Sequence, residues 1–128
     1  MHIGIPKETR DGETRVAATP ETVKKYIGGK HIVVVERGAG TAARYLDDAY
    51  EAAGATLGTA QDALGAELVM KVRAPSAAEL PQMKSGAVVI GMLDPFDAEG
   101  IQQMAAAGLT GFALEAAPRI TRAQSLDV

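Results

Sequence analysis

Ala87-Val-Val-Ile-Gly-Met-Leu93 contains no charged or polar side chain. A strand with one wet face alternates apolar and polar residues, whereas a strand covered on both faces is apolar throughout. The run therefore reads as an interior strand of a parallel sheet. Upstream, Leu68-Val-Met-Lys-Val72 is a second apolar strand, interrupted by one lysine. Between the two, Ser76-Ala-Ala-Glu79 has capping-box spacing and predicts the start of a short helix. Downstream, Asp97 is placed to cap a helix reaching about Ala107, Gly108 stops it, and Thr110 to Leu114 forms the next strand.

The same alternation runs back to the N-terminus. His2 to Ile5 is a short apolar strand closed by Pro6. Thr19-Pro20-Glu21 supplies an N-cap, a proline at the first helical position and an acid in the first turn. The helix it opens extends to about Ile27, before Gly28-Gly29. Ile32 to Glu36 is a β-branched strand, Asp47 to Ala53 a short helix, Ala55 to Leu57 a weak strand, and Thr59 to Leu64 a helical turn or two. Strands alternating with helices need crossover connections, which are right-handed and generate a parallel sheet. The expected fold is α/β, a mostly parallel sheet of five or six strands with flanking helices. Such sheets bind ligands beyond the carboxyl ends of their strands. The loops after Ile5, Glu36, Val72, Leu93 and Leu114 are therefore the places for a site.

Composition narrows the choice. A chain of 128 residues fits one domain. Thirteen basic against sixteen acidic residues leave a net charge of −3, which disfavours a nucleic-acid partner. Cysteine is absent, so disulfides, thiolate metal ligands and cysteine nucleophiles are excluded, and the two histidines, His2 and His31, are far apart. No apolar run approaches the ~20 residues of a membrane span. The opening MHIGIPKETR lacks the apolar core of a signal peptide, which leads to the expectation of a cytoplasmic protein or the soluble part of something larger.

Five features invite a chemical reading. Gly38-Ala-Gly40-Thr-Ala-Ala43 follows a strand and spells a dinucleotide fingerprint, with Asp62 about 20 residues on. Against it, the preceding strand is the second, the helical signal starts only at Asp47, and Asp62 falls in a helical stretch; the alternative is a tight turn. The loop from Lys7 to Ala18 holds six charges, Lys7, Glu8, Arg10, Asp11, Glu13 and Arg15. It is either a solvated surface or the carrier of Arg15, whose fork suits a carboxylate. Lys71 within an apolar strand is either a ligand-binding cation or a side chain snorkelling from an edge. Asp94-Pro95 stands at a strand end but is also a common turn opener. Finally, Pro118-Arg-Ile-Thr-Arg-Ala-Gln-Ser-Leu-Asp127 reads as a helix that has begun and lacks the length to be stable. No Ser-His-Asp set, P-loop or metal-spaced acid cluster is present in the sequence.

Met1-His-Ile-Gly-Ile-Pro-Lys-Glu8, Glu13-Thr-Arg-Val-Ala-Ala-Thr-Pro20, Val35-Glu-Arg-Gly-Ala-Gly40, Met70-Lys-Val72 and the 118–127 run occur in an order that resembles the alanine dehydrogenase/pyridine nucleotide transhydrogenase family at its N-terminus. The resemblance covers the whole chain, and its last motif points to the NAD-binding subunit of the transhydrogenase branch. It implies that Arg119, Gln124 and Asp127 lie beside the nicotinamide of NAD(H). It further implies hydride transfer to or from NADP(H) held on a separate domain, a membrane domain that moves protons, a homodimer, and a position peripheral to the inner membrane. Arg15 and Lys71 match an arginine and a lysine with which alanine dehydrogenases bind pyruvate, making them substrate-pocket candidates. The histidine of those enzymes has no counterpart in Gly91-Met-Leu-Asp-Pro-Phe96. The family's true fingerprint belongs to a later subdomain, so residues 1–128 are expected to be an N-terminal fragment or shortened relative that binds NAD weakly or not at all by itself and is inactive alone. The other readings are part of an alanine dehydrogenase-like oxidoreductase and a non-catalytic assembly or binding module.

Overall fold

A computed structural model describes residues 1–116. Six strands form one sheet, all parallel: β1 (His2–Ile5), β2 (Ile32–Glu36), β3 (Thr56–Gly58), β4 (Leu68–Arg73), β5 (Val88–Met92) and β6 (Thr110–Ala113). Their spatial order is β3-β2-β1-β4-β5-β6, the doubly wound arrangement in which the chain runs outward one way from β1 and then the other way from β4. Four α-helices make crossovers: α1 (Pro20–Gly28), α2 (Asp47–Ala52), α3 (Ala60–Leu64) and α4 (Ala98–Ala106). Three are started by side chains that take an orphan amide. Thr19 accepts from Thr22, Thr59 from Asp62 and Asp97 from Gly100.

Residues paired across a parallel ladder share a face, so register divides the core in two. Ile3 pairs with Val33 and Ile5 with Val35, and these four pack with Val23 of α1 and Tyr50 of α2. Tyr50 is fully buried, and its hydroxyl donates to the Ala18 carbonyl at 2.7 Å. Burial raises its pKa to about 12, so it remains a donor. Val69 and Val89 point to the opposite face, where they cluster with Leu64, Met83, Met104 and Ala113 of β6. Over β4 to β6, the face shared with Ile3 keeps Met70, Ile90 and Phe112 only half-buried.

The expected strands and helices are present within a residue or two, with one correction. Ser76 and Glu79 make both capping-box hydrogen bonds, Ser76 N–H to Glu79 Oε1 at 2.9 Å and Glu79 N–H to Ser76 Oγ at 3.3 Å. No α-helix forms beyond them. The chain passes through a turn into a single 3₁₀ turn, Leu80–Gln82, because Pro81 has no N–H with which to continue an α-helix.

Close packing of α3 depends on Gly4. A Cβ there would collide with the Ala63 carbonyl and approach the Ala66 Cβ to 2.9 Å. Gly4→Ala is expected to force α3 off the sheet and lower stability by roughly 1–3 kcal/mol, read as a lower urea midpoint. Gly28→Ala, where the added carbon meets nothing within 4 Å, is expected to stay within about 0.5 kcal/mol of the parent. Equal midpoints for the two variants would contradict this packing.

Candidate functional site

The strand order reverses between β1 and β4, and a doubly wound sheet opens its ligand crevice at the carboxyl side of that point. Here the crevice is filled from within. Directly after β1, Glu8 turns inward, and its Oε2 and Oε1 accept the N–H groups of Val72 at 2.9 Å and Arg73 at 3.0 Å. Those amides are available because β4 bulges. The pairs Met70–Ile90 and Arg73–Met92 enclose one more residue on β4 than on β5. The bulge turns the Lys71 carbonyl toward Gly91, where any Cβ would collide with it.

Lys71 is the cation of this junction. Its Nζ lies 3.0 Å from Glu79 Oε2 and 3.5 Å from Glu8 Oε1, and its side chain is 1% exposed. It does not snorkel; its charge is compensated by two carboxylates, as a buried ammonium requires. Glu79 uses its other oxygen to hold the Ser76 amide, so the 76–79 turn, the end of β4 and the loop after β1 are tied at one point.

A second cluster lies further along the loop. Glu13 Oε2 accepts from Arg15 Nε at 2.9 Å and from the Arg15 amide at 3.0 Å, while Oε1 accepts from Arg15 Nη2 at 2.8 Å. Arg73 Nη1 lies 3.5 Å from the same Oε1. The Arg15 hydrogen bonds hold the Glu13 carboxyl far below its ordinary range, at about 2, and Glu13 in turn raises the pKa of Arg15. The loop is thus folded onto β4 through both of its glutamates.

Beside these clusters runs a cleft of about 530 Å³. Val16, Ala17 and Tyr26 line it, as do Met70, Ile90 and Met92 from the half-covered sheet face and Leu114 just after β6. Arg15, Lys71 and Glu115 also contribute to its lining. A smaller cavity of about 320 Å³ adjoins it, lined by Arg15, Arg73, Met92, Asp94 and Glu115. Glu115, just beyond β6, shapes this corner by accepting the amides of Leu93 at 3.0 Å and Asp94 at 3.1 Å. Asp94 is exposed and adopts φ +54.

The structure brings Arg15 and Lys71 to one cleft, and each is already paired with glutamate. Arg119, Gln124 and Asp127, with the helix expected from Pro118, lie outside the described residues. The fingerprint at Gly38 is a tight turn. Its amides are taken internally, Gly38 by Asp47 Oδ1, Ala39 by the Glu36 carbonyl, and Thr41 by that of Gly38. The space a Cβ would need at Gly40 is filled by the Tyr50 ring. Sequence reasoning does not single out Glu8, Glu13, Glu79 or Glu115 as site residues. The one signal, for Glu8 and Glu79, is Lys71 itself, since a lysine in an apolar strand demands carboxylates nearby. Among the described residues no group of three His, Cys, Asp or Glu is arranged to hold a metal, and no helix is long and apolar enough to cross a membrane.

These geometries separate the two cations. Lys71→Met strands two buried carboxylates and is expected to lower stability by about 3–5 kcal/mol in urea unfolding. Arg15→Ala, at a side chain 57% exposed, is expected to lower the urea midpoint by far less than Lys71→Met. The Glu13 carboxyl is lowered in the fold, so its contribution is complete above its ordinary 4.5 and is lost as pH falls through that value toward about 2. An NMR titration of Glu13 should show this depressed midpoint, and Arg15→Ala should raise it.

A family profile described as alanine dehydrogenase/PNT, N-terminal domain, matches residues 4–128. An NAD(P) transhydrogenase subunit alpha protein of Rhodospirillum rubrum is 44% identical over 136 residues, covering 100% of this chain and 35% of that protein. A crystal structure of transhydrogenase from Sinorhizobium meliloti superposes with a TM-score of 0.90 at 50% identity, over 95% of this chain and 37% of that one. A structure of L-alanine dehydrogenase superposes with a TM-score of 0.85 at 35% identity, over 88% and 32%. The chain spans about a third of the length of these relatives. With the profile, the sequence order and the sheet all in agreement, it belongs to the alanine dehydrogenase/pyridine nucleotide transhydrogenase family, as an N-terminal domain.

Proposed function

We propose that this chain is the N-terminal portion of the NAD-side subunit of a proton-translocating NAD(P) transhydrogenase, which transfers hydride between NAD(H) and NADP(H). The observation that carries this reading over an alanine dehydrogenase is the corner after β5. Releasing or adding ammonia at carbon requires a proton carrier beside the substrate. The residue there is Asp94, and the chain's two histidines, His2 and His31, stand at the amino ends of β1 and β2, across the sheet from the cleft. Hydride transfer between two nicotinamides needs no general base, only two rings held in contact. The higher identity to transhydrogenases, 44% and 50% against 35%, supports the same branch.

The residues present suit one end of NAD. The apolar walls of the cleft can shield a flat ring from water, and Arg119, Gln124 and Asp127 are proposed to hold the nicotinamide. The phosphates find no comparable cradle among the described residues, since the Gly38, Ala39 and Thr41 amides are bonded within the loop and to Asp47, and Glu8 takes the amides at the crevice. The dinucleotide fold is therefore proposed to lie in the portion of the longer subunit beyond this chain. NADP(H) and the membrane-spanning portion are assigned to partner domains, and the subunit is read as a homodimer. When bound, NAD supplies the hydride chemistry. This chain's residues orient the ring and exclude water.

The intact protein, assembled with its partner subunits, is expected to reduce an NAD analogue with NADPH and to show no alanine-dependent reduction of NAD. Alanine-dependent reduction without transfer from NADPH would reverse the choice of branch.

A further inference from the structure

The methionines divide by their surroundings. Among the described residues, Met83 and Met104 are 8% and 2% exposed and belong to one hydrophobic cluster, and Met70 packs against the other. Met1 is exposed, ahead of β1. Met92 belongs to neither cluster. It is half-buried at the end of β5 and lines both the apolar cleft and the smaller cavity beside it. Leucine would fill the same volume. A thioether differs in carrying a lone pair that an oxidant can reach from an open cavity.

The neighbours of Met92 suit its oxidised form. Met92 pairs with Arg73 in the register of β4 and β5, and Arg73 and Arg15 line the same small cavity. A thioether sulfur is a weak acceptor and offers a guanidinium little. A sulfoxide is polar, and its oxygen accepts hydrogen bonds. Glu13 engages Nε and Nη2 of Arg15 and approaches Nη1 of Arg73, which leaves both groups with further N–H donors. A sulfoxide on Met83 or Met104 would instead be set among the apolar side chains of their cluster, where a polar oxygen is costly.

We propose that Met92 is a peroxide-sensitive modification site whose oxidation turns the cleft wall from apolar to polar. Its sulfur lone pair attacks one oxygen of hydrogen peroxide, the O–O bond breaks, and the departing hydroxide takes the proton of the new S–OH group. Sulfur gives up two electrons, the peroxide gains them, and the products are a sulfoxide and water. The new oxygen sits in the wall that Met92 shares with Ile90 and Leu114, where it opposes the seating of an apolar group. Enzymatic reduction of the sulfoxide reverses the change. The effect on binding rests on the NAD reading, whereas the chemistry at Met92 does not.

The test treats the intact protein with hydrogen peroxide and reads two quantities. Mass spectrometry of its peptides follows oxygen gained at each methionine, and titration gives NADH affinity before and after. Met92 is expected to take up oxygen about tenfold or more faster than Met83 and Met104. The oxidised parent is expected to bind NADH about tenfold more weakly with its urea midpoint retained, and a methionine sulfoxide reductase to restore binding. Met92→Leu keeps the volume and has no sulfur to oxidise, so its affinity after treatment is expected to equal its own affinity before, whatever is gained at Met1. Uptake at Met92 no faster than at Met83 and Met104 overturns the proposal. So does an affinity loss that persists in Met92→Leu or comes with a lower urea midpoint, and so does an oxidised Met92 that leaves NADH affinity unchanged. An untreated parent that binds no NADH overturns the NAD reading and the effect on binding, while the uptake at Met92 still decides the modification site.

Discussion

The contact on which the site depends is the carboxylate of Glu8 laid across the amides of Val72 and Arg73. A β-bulge leaves N–H groups without a ladder partner, and a buried amide without an acceptor costs about 1–3 kcal/mol. Glu8 satisfies two of them with one group. Its negative charge then requires a cation, which Lys71 supplies, and the ammonium, 1% exposed, takes a second carboxylate from Glu79. Each member answers a need created by another. Gly91 belongs to the same set, because the displaced Lys71 carbonyl occupies the space of a side chain. The result is a rigid floor, on which the loop bearing Glu13 and Arg15 is fastened.

This arrangement moves the site away from where the fold would ordinarily place it. The order β3-β2-β1-β4-β5-β6 offers a crevice at the β1–β4 junction, and phosphate-binding sheets put glycine-rich turns there. The chain instead places Pro6-Lys7-Glu8 at that turn and plugs the gap with a carboxylate. The open volume shifts sideways, over β4 and β5, where Met70, Ile90 and Met92 make an apolar wall. With its nearest cations already paired, the cleft has little pull on an anion.

How much of this could be read in the residues differs by level. The strands were legible as unbroken apolar runs, as in residues 87–93, although one face of that strand is only half-buried and lines the cleft, and the helices because Thr19, Thr59 and Asp97 stand where caps are needed. The 76–79 segment misled because a capping box describes only a first turn; the proline two residues later decides whether a helix grows from it. Gly38 to Ala43 misled for a related reason. Its spacing matches a phosphate loop, but the role depends on free amides and on empty space at Gly40, and both are consumed by Asp47 and Tyr50, residues that no local pattern connects to it. Lys71 and Arg15 could be found as candidates, since a charge in or beside an apolar run is conspicuous. The partnership of Glu8 with Lys71 could not, because the two are 63 positions apart and meet only through the parallel crossovers.

The same distances explain why a domain can keep this fold while its chemistry changes. The Glu8–Lys71–Glu79 junction is internal, so it constrains stability rather than the identity of the ligand. The corner after β5 is different: Asp94 is exposed, its backbone is fixed by Glu115, and no neighbour among the described residues depends on its side chain. A residue that tolerates a positive φ can stand at that corner with little penalty to the sheet, yet it lines the polar cavity. An imidazole in that position would offer both a donor and an acceptor nitrogen, whereas an ionised carboxylate offers acceptors only. The difference between proton-coupled chemistry on a small substrate and simple placement of a ring can thus rest on one side chain at a strand end, with the scaffold beneath it unchanged.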